Sequence, residues 1–171
     1  MNDLTLIVGL MRQNTDALGF IPLPDLQARW LALGRFLIAA DRRNKPIGYL
    51  LHGPRHRDGR MHVNQVCIDY DHRRREHATR LVAALVKRAR SAGARRLILR
   101  CAADLDAIDF WSSIGAIPTL LSEGGKRRAR TIQTFQLPIP PNPTLQFRSS
   151  GPLGPPLDPR HLETKRPLER L

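Results

Sequence analysis

The sequence predicts a mixed α/β (α+β) fold, a mostly antiparallel central sheet flanked by helices in the order αα-βββ-α-β-α-ββ. Three observations predict it. Residues 35–68 read as a meander of three short strands punctuated by Asp41-Arg42-Arg43-Asn44-Lys45 and Arg57-Asp58-Gly59-Arg60. The third strand then runs through a basic turn into an amphipathic helix, and a further strand, Arg96 to Cys101, follows it. A helix-bearing crossover between strands requires a parallel pairing, so the sheet is expected to be mixed.

Each element has its own signal. Leu4, Ile7, Val8 and Met11 recur at helical spacing, giving a helix over the first fifteen residues that breaks near Asp16 to Gly19. Phe20 to Pro24 reads as a loop, and a short helix from about Asp25 to Leu33 ends at Gly34, a left-handed cap, with Trp30, Leu31 and Leu33 as core contacts. Strands follow at Arg35 to Ala40, Ile47 to His52 and Met61 to Ile68. The helix after the basic turn places Ala78, Leu81, Val82, Leu85, Val86 and Ala89 on one face and closes at Gly93. Leu97-Ile98-Leu99 suggests a strand buried on both faces, and Asp104 is the expected cap of a helix ending at Gly115. Ile117 to Leu121 and Thr131 to Leu137 form the last strand pair. Nine of the fourteen prolines lie between Pro138 and Pro167. The expected organisation is therefore one domain over residues 1–139 and a Pro-rich, disordered tail over 140–171.

A formal net charge of +13 favours anionic partners, nucleic acid among them, without choosing between a polymer and a small anion. The two cysteines, Cys67 and Cys101, fall within strands predicted to be buried and lack metal-ligand spacing, which points to a reduced protein without a metal site. The amino-terminal residues have no basic leader and no apolar run approaches a membrane span, so the expected location is the cytoplasm and no membrane partner is expected.

The most informative stretch is Val66-Cys67-Ile68-Asp69-Tyr70-Asp71-His72-Arg73-Arg74-Arg75-Glu76-His77-Ala78-Thr79-Arg80-Leu81. A strand, a basic turn and a helix start together make an anion site from backbone, because the first-turn N–H groups have no carbonyl partner and the helix dipole is positive there. The stretch resembles the acyl-CoA signature of the GCN5-related N-acetyltransferase (GNAT) family, roughly V-x-P-x-x-[QR]-G-x-G-[IV]-[GA]-x-x-L. Ile68, Arg73, Ala78 and Leu81 fall in register; Arg74 and Glu76 stand at the family's glycines, and His77 at its aliphatic. Asp104 to Ala116 resembles a second family phrase, N-x-x-A-x-x-[FL]-Y-x-x-x-G-F, with Ala107 in register and Trp111 at the tyrosine. The resemblance covers roughly residues 3 to 139.

The resemblance implies a GNAT-like acyltransferase with acetyl-CoA or a related acyl-CoA as cofactor. It implies cofactor contacts at Val66, Cys67, Ile68, Arg73, Arg74, Arg75, Glu76, His77, Ala78 and Thr79, and at Asp104, Ala107 and Trp111 from the second phrase. In the family, the strand equivalent to Asn64 to Ile68 offers N–H groups to the reacting carbonyl. Candidates for moving protons are His62 and Asp69 as base, ahead of the nearby Asp71 and Glu76, and Ser112, Cys101 or water as acid, because indole at Trp111 cannot donate to a thiolate at neutral pH. Lys126, Arg127, Arg128 and Arg130 follow a Gly-Gly pair in the last hairpin and are candidate contacts to a phosphate-bearing acceptor. The acceptor is read as an amine, with nucleic acid left open; a phage-type DNA or RNA modifier similar to the Mom group is the narrower version. The alternative is a catalytically degenerate GNAT fold that binds nucleic acid or protein. Oligomeric state is not legible.

Overall fold

A computed structural model of the protein describes residues 3–19, 21–124 and 130–140. The proposed tail over 140–171 lies, apart from Pro140, outside the described residues, as do Lys126, Arg127 and Arg128.

The elements occur in the expected order. Helices α1 (Asp3–Gln13), α2 (Thr15–Leu18) and α3 (Leu23–Asp25) precede β1 (Phe36–Ala40), β2 (Pro46–Arg55) and β3 (Arg60–Ile68). Next come α4 (His77–Ser91), β4 (Arg96–Ala102), α5 (Ala107–Ser113), β5 (Ile117–Glu123) and β6 (Thr131–Pro138). The six strands form one sheet in the order β1-β2-β3-β4-β6-β5. Its parallel pairing is β3 with β4, from Arg60↔Arg96 to Val63↔Leu99; β1–β2, β4–β6 and β5–β6 are antiparallel. The mixed, mostly antiparallel sheet expected from the crossover is therefore present.

Among the described residues the chain divides into two compact units, one holding residues up to Pro54 with Asn64–Lys87, the other Arg55–Val63 with residues from Arg88 onward. The core of the first unit joins Ile7, Leu10 and Met11 of α1 to Leu26, Phe36, Tyr49, Leu51 and Cys67. Alternation along β3 explains Cys67's place there: Met61, Val63, Gln65 and Cys67 are buried while Asn64 is exposed. In the second unit Leu97, Leu99, Phe135, Leu137 and Trp111 are buried.

Three local expectations are corrected. The second helical segment is α3 continued by a π-helical turn, Leu26–Leu31, and its buried residue is Leu26; Trp30 and Leu31 are partly buried and Leu33 is 56% exposed. Gly34 does adopt φ 59° after it. β4 is not buried on both faces, since Leu97, Leu99 and Cys101 alternate with half-buried Ile98 and exposed Arg100. Asp104 does not cap α5: Asp106 occupies the N-cap without a side-chain hydrogen bond, and Asp104 instead pairs with Arg130 Nε at 3.0 Å.

The β1–β2 turn behaves as composition predicted. Asp41 accepts from the backbone N–H of Arg43 and Lys45, and Asn44 supplies the left-handed residue at φ 61°. Opposite it, Gly48 lets β2 lie close to the end of β3: a Cβ there would fall 2.5 Å from Ile68 Cδ1 and 2.6 Å from the Cys67 carbonyl oxygen. A backbone oxygen cannot yield as a side-chain tip can. Gly48→Ala is therefore expected to cost about 1–3 kcal/mol, read as a lower urea midpoint at unchanged slope; an unaltered midpoint would contradict this close approach.

Candidate active site: the turn between β3 and α4

The chain leaves β3 under tight control. Asp69 N–H donates to Ile47 O at 2.8 Å, extending the contact with β2 by one residue. A single 3₁₀ turn, Tyr70–His72, follows, and Arg73 is extended at φ −68°, ψ 163°. Arg74 and Glu76 then adopt φ 59° and 62°, and the helix begins at His77. These are the positions where the family signature carries glycine, so the left-handed backbone is kept although the residues are not glycine.

The first backbone bond into α4 is Arg80 N–H to Glu76 O at 2.9 Å. The N–H groups of Glu76, His77, Ala78 and Thr79 accordingly make no hydrogen bond among the described residues. Successive free amides beside left-handed residues are able to bind an anion, and the positive end of a fifteen-residue helix would reinforce this.

The arginines of the turn divide by role. Arg73 is a brace: Nε donates to Ile68 O at 3.0 Å, Nη2 donates to Asn14 Oδ1 at 2.9 Å, and its guanidinium lies 5.5 Å from the Tyr70 ring centroid. Sequence reasoning places it on the anion; in this structure two of its N–H donors are used within the protein. Arg74 and Arg75 are exposed and carry no ion pair among the described residues, leaving their charge at the amides' edge. Glu76, whose carboxylate would repel an anion, has Oε2 3.8 Å from Arg80 Nη2, one helical turn along.

Asp69 and His72 approach at 3.4 Å, but off hydrogen-bond direction, since His72 Nδ1 has no hydrogen-bond partner. His77, partly buried at the helix start, has its pKa lowered by desolvation and then by Arg80, His72 and Arg75. Of the β3 contacts, Val66 is half-buried, Ile68 is buried and Cys67 faces the core, where burial pushes its thiol up to about 11. No sequence signal announces the polar pair behind this strand: the hydroxyl of buried Tyr49 donates to Gln65 Oε1 at 3.0 Å, and Gln65 Nε2 donates to Leu18 O at 3.1 Å. Burial raises the Tyr49 phenol far above its usual range, so it is a structural donor rather than an acid.

The second unit carries the remaining candidates. His62 stacks edge-on with His56, ring centroids 5.2 Å apart, and its pKa is lowered by desolvation first and by His56 and Arg60 next. Trp111 is buried against Phe110 at 4.9 Å, the packing role that an indole permits. Ala107 is the first residue of α5. Ser112 is exposed and its hydroxyl donates to Ile108 O at 3.0 Å. Cys101 is buried, and desolvation raises its thiol. Arg130 is held by Asp104. Among the described residues no cluster of His, Cys, Asp or Glu could hold a metal ion, and no helix is long and apolar enough to cross a membrane.

The strained turn and the two desolvated histidines each have a measurable consequence. A non-glycine left-handed residue costs about 1–2 kcal/mol and glycine costs about 0.5–1 kcal/mol in chain entropy, so Arg74→Gly is expected to gain about 0.5–1 kcal/mol in chemical denaturation. Glu76→Gly should gain less, because it also removes the pairing with Arg80, worth about 0.3–0.5 kcal/mol. Equal or negative changes at both would show that the turn is not strained. His62 and His77, with folded pKa below the ordinary value of 6.5, bind fewer protons folded than unfolded. Their contribution is present above the unfolded pKa and is lost as pH falls through the folded values. The thermal midpoint is expected to drop on acidification from neutrality, with a shallower drop in His62→Asn/His77→Asn; parallel pH profiles would contradict the assignment.

Comparison with known proteins converges on one family. Residues 9–116 match the family model described as Acetyltransferase (GNAT) family. Among solved structures, ribosomal-protein-alanine N-acetyltransferase from Brucella melitensis superposes with TM-score 0.66 at 18% identity, covering 80% of this chain and 94% of that one. N-acetylglutamate synthase from Neisseria gonorrhoeae, complexed with coenzyme A and N-acetyl-glutamate, gives 0.64 at 15% identity over 80% of this chain and 33% of its own. An aminoglycoside 6'-N-acetyltransferase complexed with coenzyme A gives 0.55 at 14% identity over 66% and 78%. No curated protein matches the chain. With the family model spanning well over half of the sequence, and with its glycine positions both left-handed here, the chain belongs to the GNAT acetyltransferase family.

Proposed function

We propose that the protein transfers an acetyl or related acyl group from acyl-CoA to an amine, and that the turn from Arg74 to Thr79 receives the pyrophosphate of the cofactor. The observation that carries this is the run of four amides at the start of α4 that have no partner among the described residues, preceded by Arg74 and Arg75, which are exposed and without an ion pair among them. Bound acyl-CoA would supply the activated thioester. The chain's own part is to hold the anion by backbone N–H groups and to manage protons. His62 is the favoured base, because its lowered pKa keeps the imidazole neutral and able to accept a proton at pH 7. Ser112 would have to give up its bond to Ile108 O before donating outward. Residues 1–139 are proposed as the transferase domain, with 140–171 as an appended segment.

The acceptor amine is proposed to sit on an anionic molecule, on the strength of the +13 charge. The rival reading, a GNAT fold that binds without catalysing, draws support from Trp111, which cannot serve as the acid. Titration calorimetry with CoA tests the donor site. Arg74→Ala/Arg75→Ala is expected to weaken binding about tenfold, two exposed charge-assisted contacts contributing on the order of 1.4 kcal/mol together. Arg73→Ala should lower the thermal midpoint instead. Absence of CoA binding to the unaltered protein would overturn the proposal, and tight binding with no acyl transfer to any amine tried would favour the rival.

A further inference from the structure

The sequence places Arg55, Arg57 and Arg60 at the β2–β3 hairpin and Arg95 and Arg96 at the end of the α4–β4 connection, and the structure gathers them within one compact unit. Two bonds lock the segments. Arg95 N–H donates to Gly59 O at 2.8 Å, and Arg55 Nε donates to Gly93 O at 3.2 Å. Gly59, left-handed at φ 80°, closes the hairpin, and a Cβ there would lie 3.0 Å from Arg95 Nε, so the two segments are in direct contact.

Five arginines thus stand on two segments joined by hydrogen bonds, with a single acid in those segments, Asp58. Its carboxylate contacts both Arg60 and Arg96, the latter at 3.6 Å. Arg57 and Arg95 are exposed and have no ion pair among the described residues. One carboxylate offsets part of the mutual repulsion of five cations, and an external anion would relieve the rest. Arginine supplies 24 of the 28 basic residues of the chain. Its planar fork matches two phosphate oxygens at once, whereas a charge needed only for solubility is met equally by lysine.

We propose that this arginine face, formed by the β2–β3 hairpin and the α4–β4 connection, binds the phosphate backbone of a nucleic acid. It contacts phosphates without reading bases, since no helix among the described residues of this face is placed to enter a groove and the one ring beside the arginines, His56, packs edge-on against His62. The inference stands apart from the acyl-CoA reading: either can fail alone.

Fluorescence anisotropy with a short labelled duplex DNA, over a range of salt concentrations, tests it. Binding at low salt should weaken steeply with salt, and Arg57→Ala/Arg95→Ala should flatten the slope of log K against log salt by about two units, roughly 0.9 for each phosphate no longer neutralised. CoA affinity and thermal midpoint of that variant should match the unaltered protein. Arg42→Ala/Arg43→Ala, at the β1–β2 turn, should leave the slope unchanged. The proposal is overturned by no binding at low salt, by an unaltered slope in Arg57→Ala/Arg95→Ala, by an equal effect of the Arg42/Arg43 change, or by preferential binding of polyglutamate over DNA under the same conditions.

Discussion

The brace formed by Arg73 is the constraint on which the candidate site depends. Left-handed conformations at Arg74 and Glu76 are unfavourable for both side chains, by about 1–2 kcal/mol each. Something must hold the backbone there. Arg73 ties the turn back to Ile68 O at one end and to Asn14, just past α1, at the other, while lying over Tyr70. Charge-assisted hydrogen bonds of this kind contribute about 1.5–3 kcal/mol when sheltered and less when exposed, as here. That is the same order as the strain, so a non-glycine sequence can keep a glycine-like path. The consequence is chemical: the amides of Glu76 to Thr79, at the positive end of α4, have no hydrogen-bond partner among the described residues.

Much of this fold is legible in the sequence because its signals are local and periodic. Alternation marks β3, helical spacing marks α1 and α4, and the Asp41–Lys45 turn carries its own side-chain acceptor. The crossover from β3 through α4 to β4 then forces the parallel pair. What escapes is set by partners distant in sequence. Nothing near Asp104 announces that Arg130 will claim its carboxylate, and capping is the only use visible locally. Leu33 reads as core by composition, but a π-helical turn changes the angular step between residues, which leaves Leu26 inside and Leu33 outside. The buried Tyr49–Gln65 bond joins residues on two strands, and no pattern in either strand encodes it.

The site residues show the same division. A strand, a basic run and a helix start need no tertiary information, so the turn itself is visible in the sequence, yet the three arginines cannot be apportioned there. Register with a family motif assigns Arg73 to the ligand; the structure adds bonds from it to Ile68 O and Asn14, and among the described residues Arg74 and Arg75 carry no ion pair. Likewise, charge alone marks Glu76 as an obstacle to an anion. Its conformation, rather than its charge, is what the turn requires, and its carboxylate lies near Arg80.

Formal charge therefore overstates what the surface offers to a ligand. Arg73 and Arg130 are engaged by Asn14 and Asp104, and Arg35 lies 5.8 Å from the Trp30 ring centroid. The exposed cations act differently from the amides at α4. A run of backbone N–H groups binds through fixed short-range dipoles and requires an anion of defined shape that can approach the backbone. Exposed guanidiniums act over about a Debye length, roughly 8–10 Å near physiological salt, and tolerate an extended, irregular polyanion. A compact pyrophosphate suits the first and a phosphate backbone the second. The two proposed modes would answer to salt in different degree, and binding measured across ionic strength separates them where the formal charge of +13 cannot.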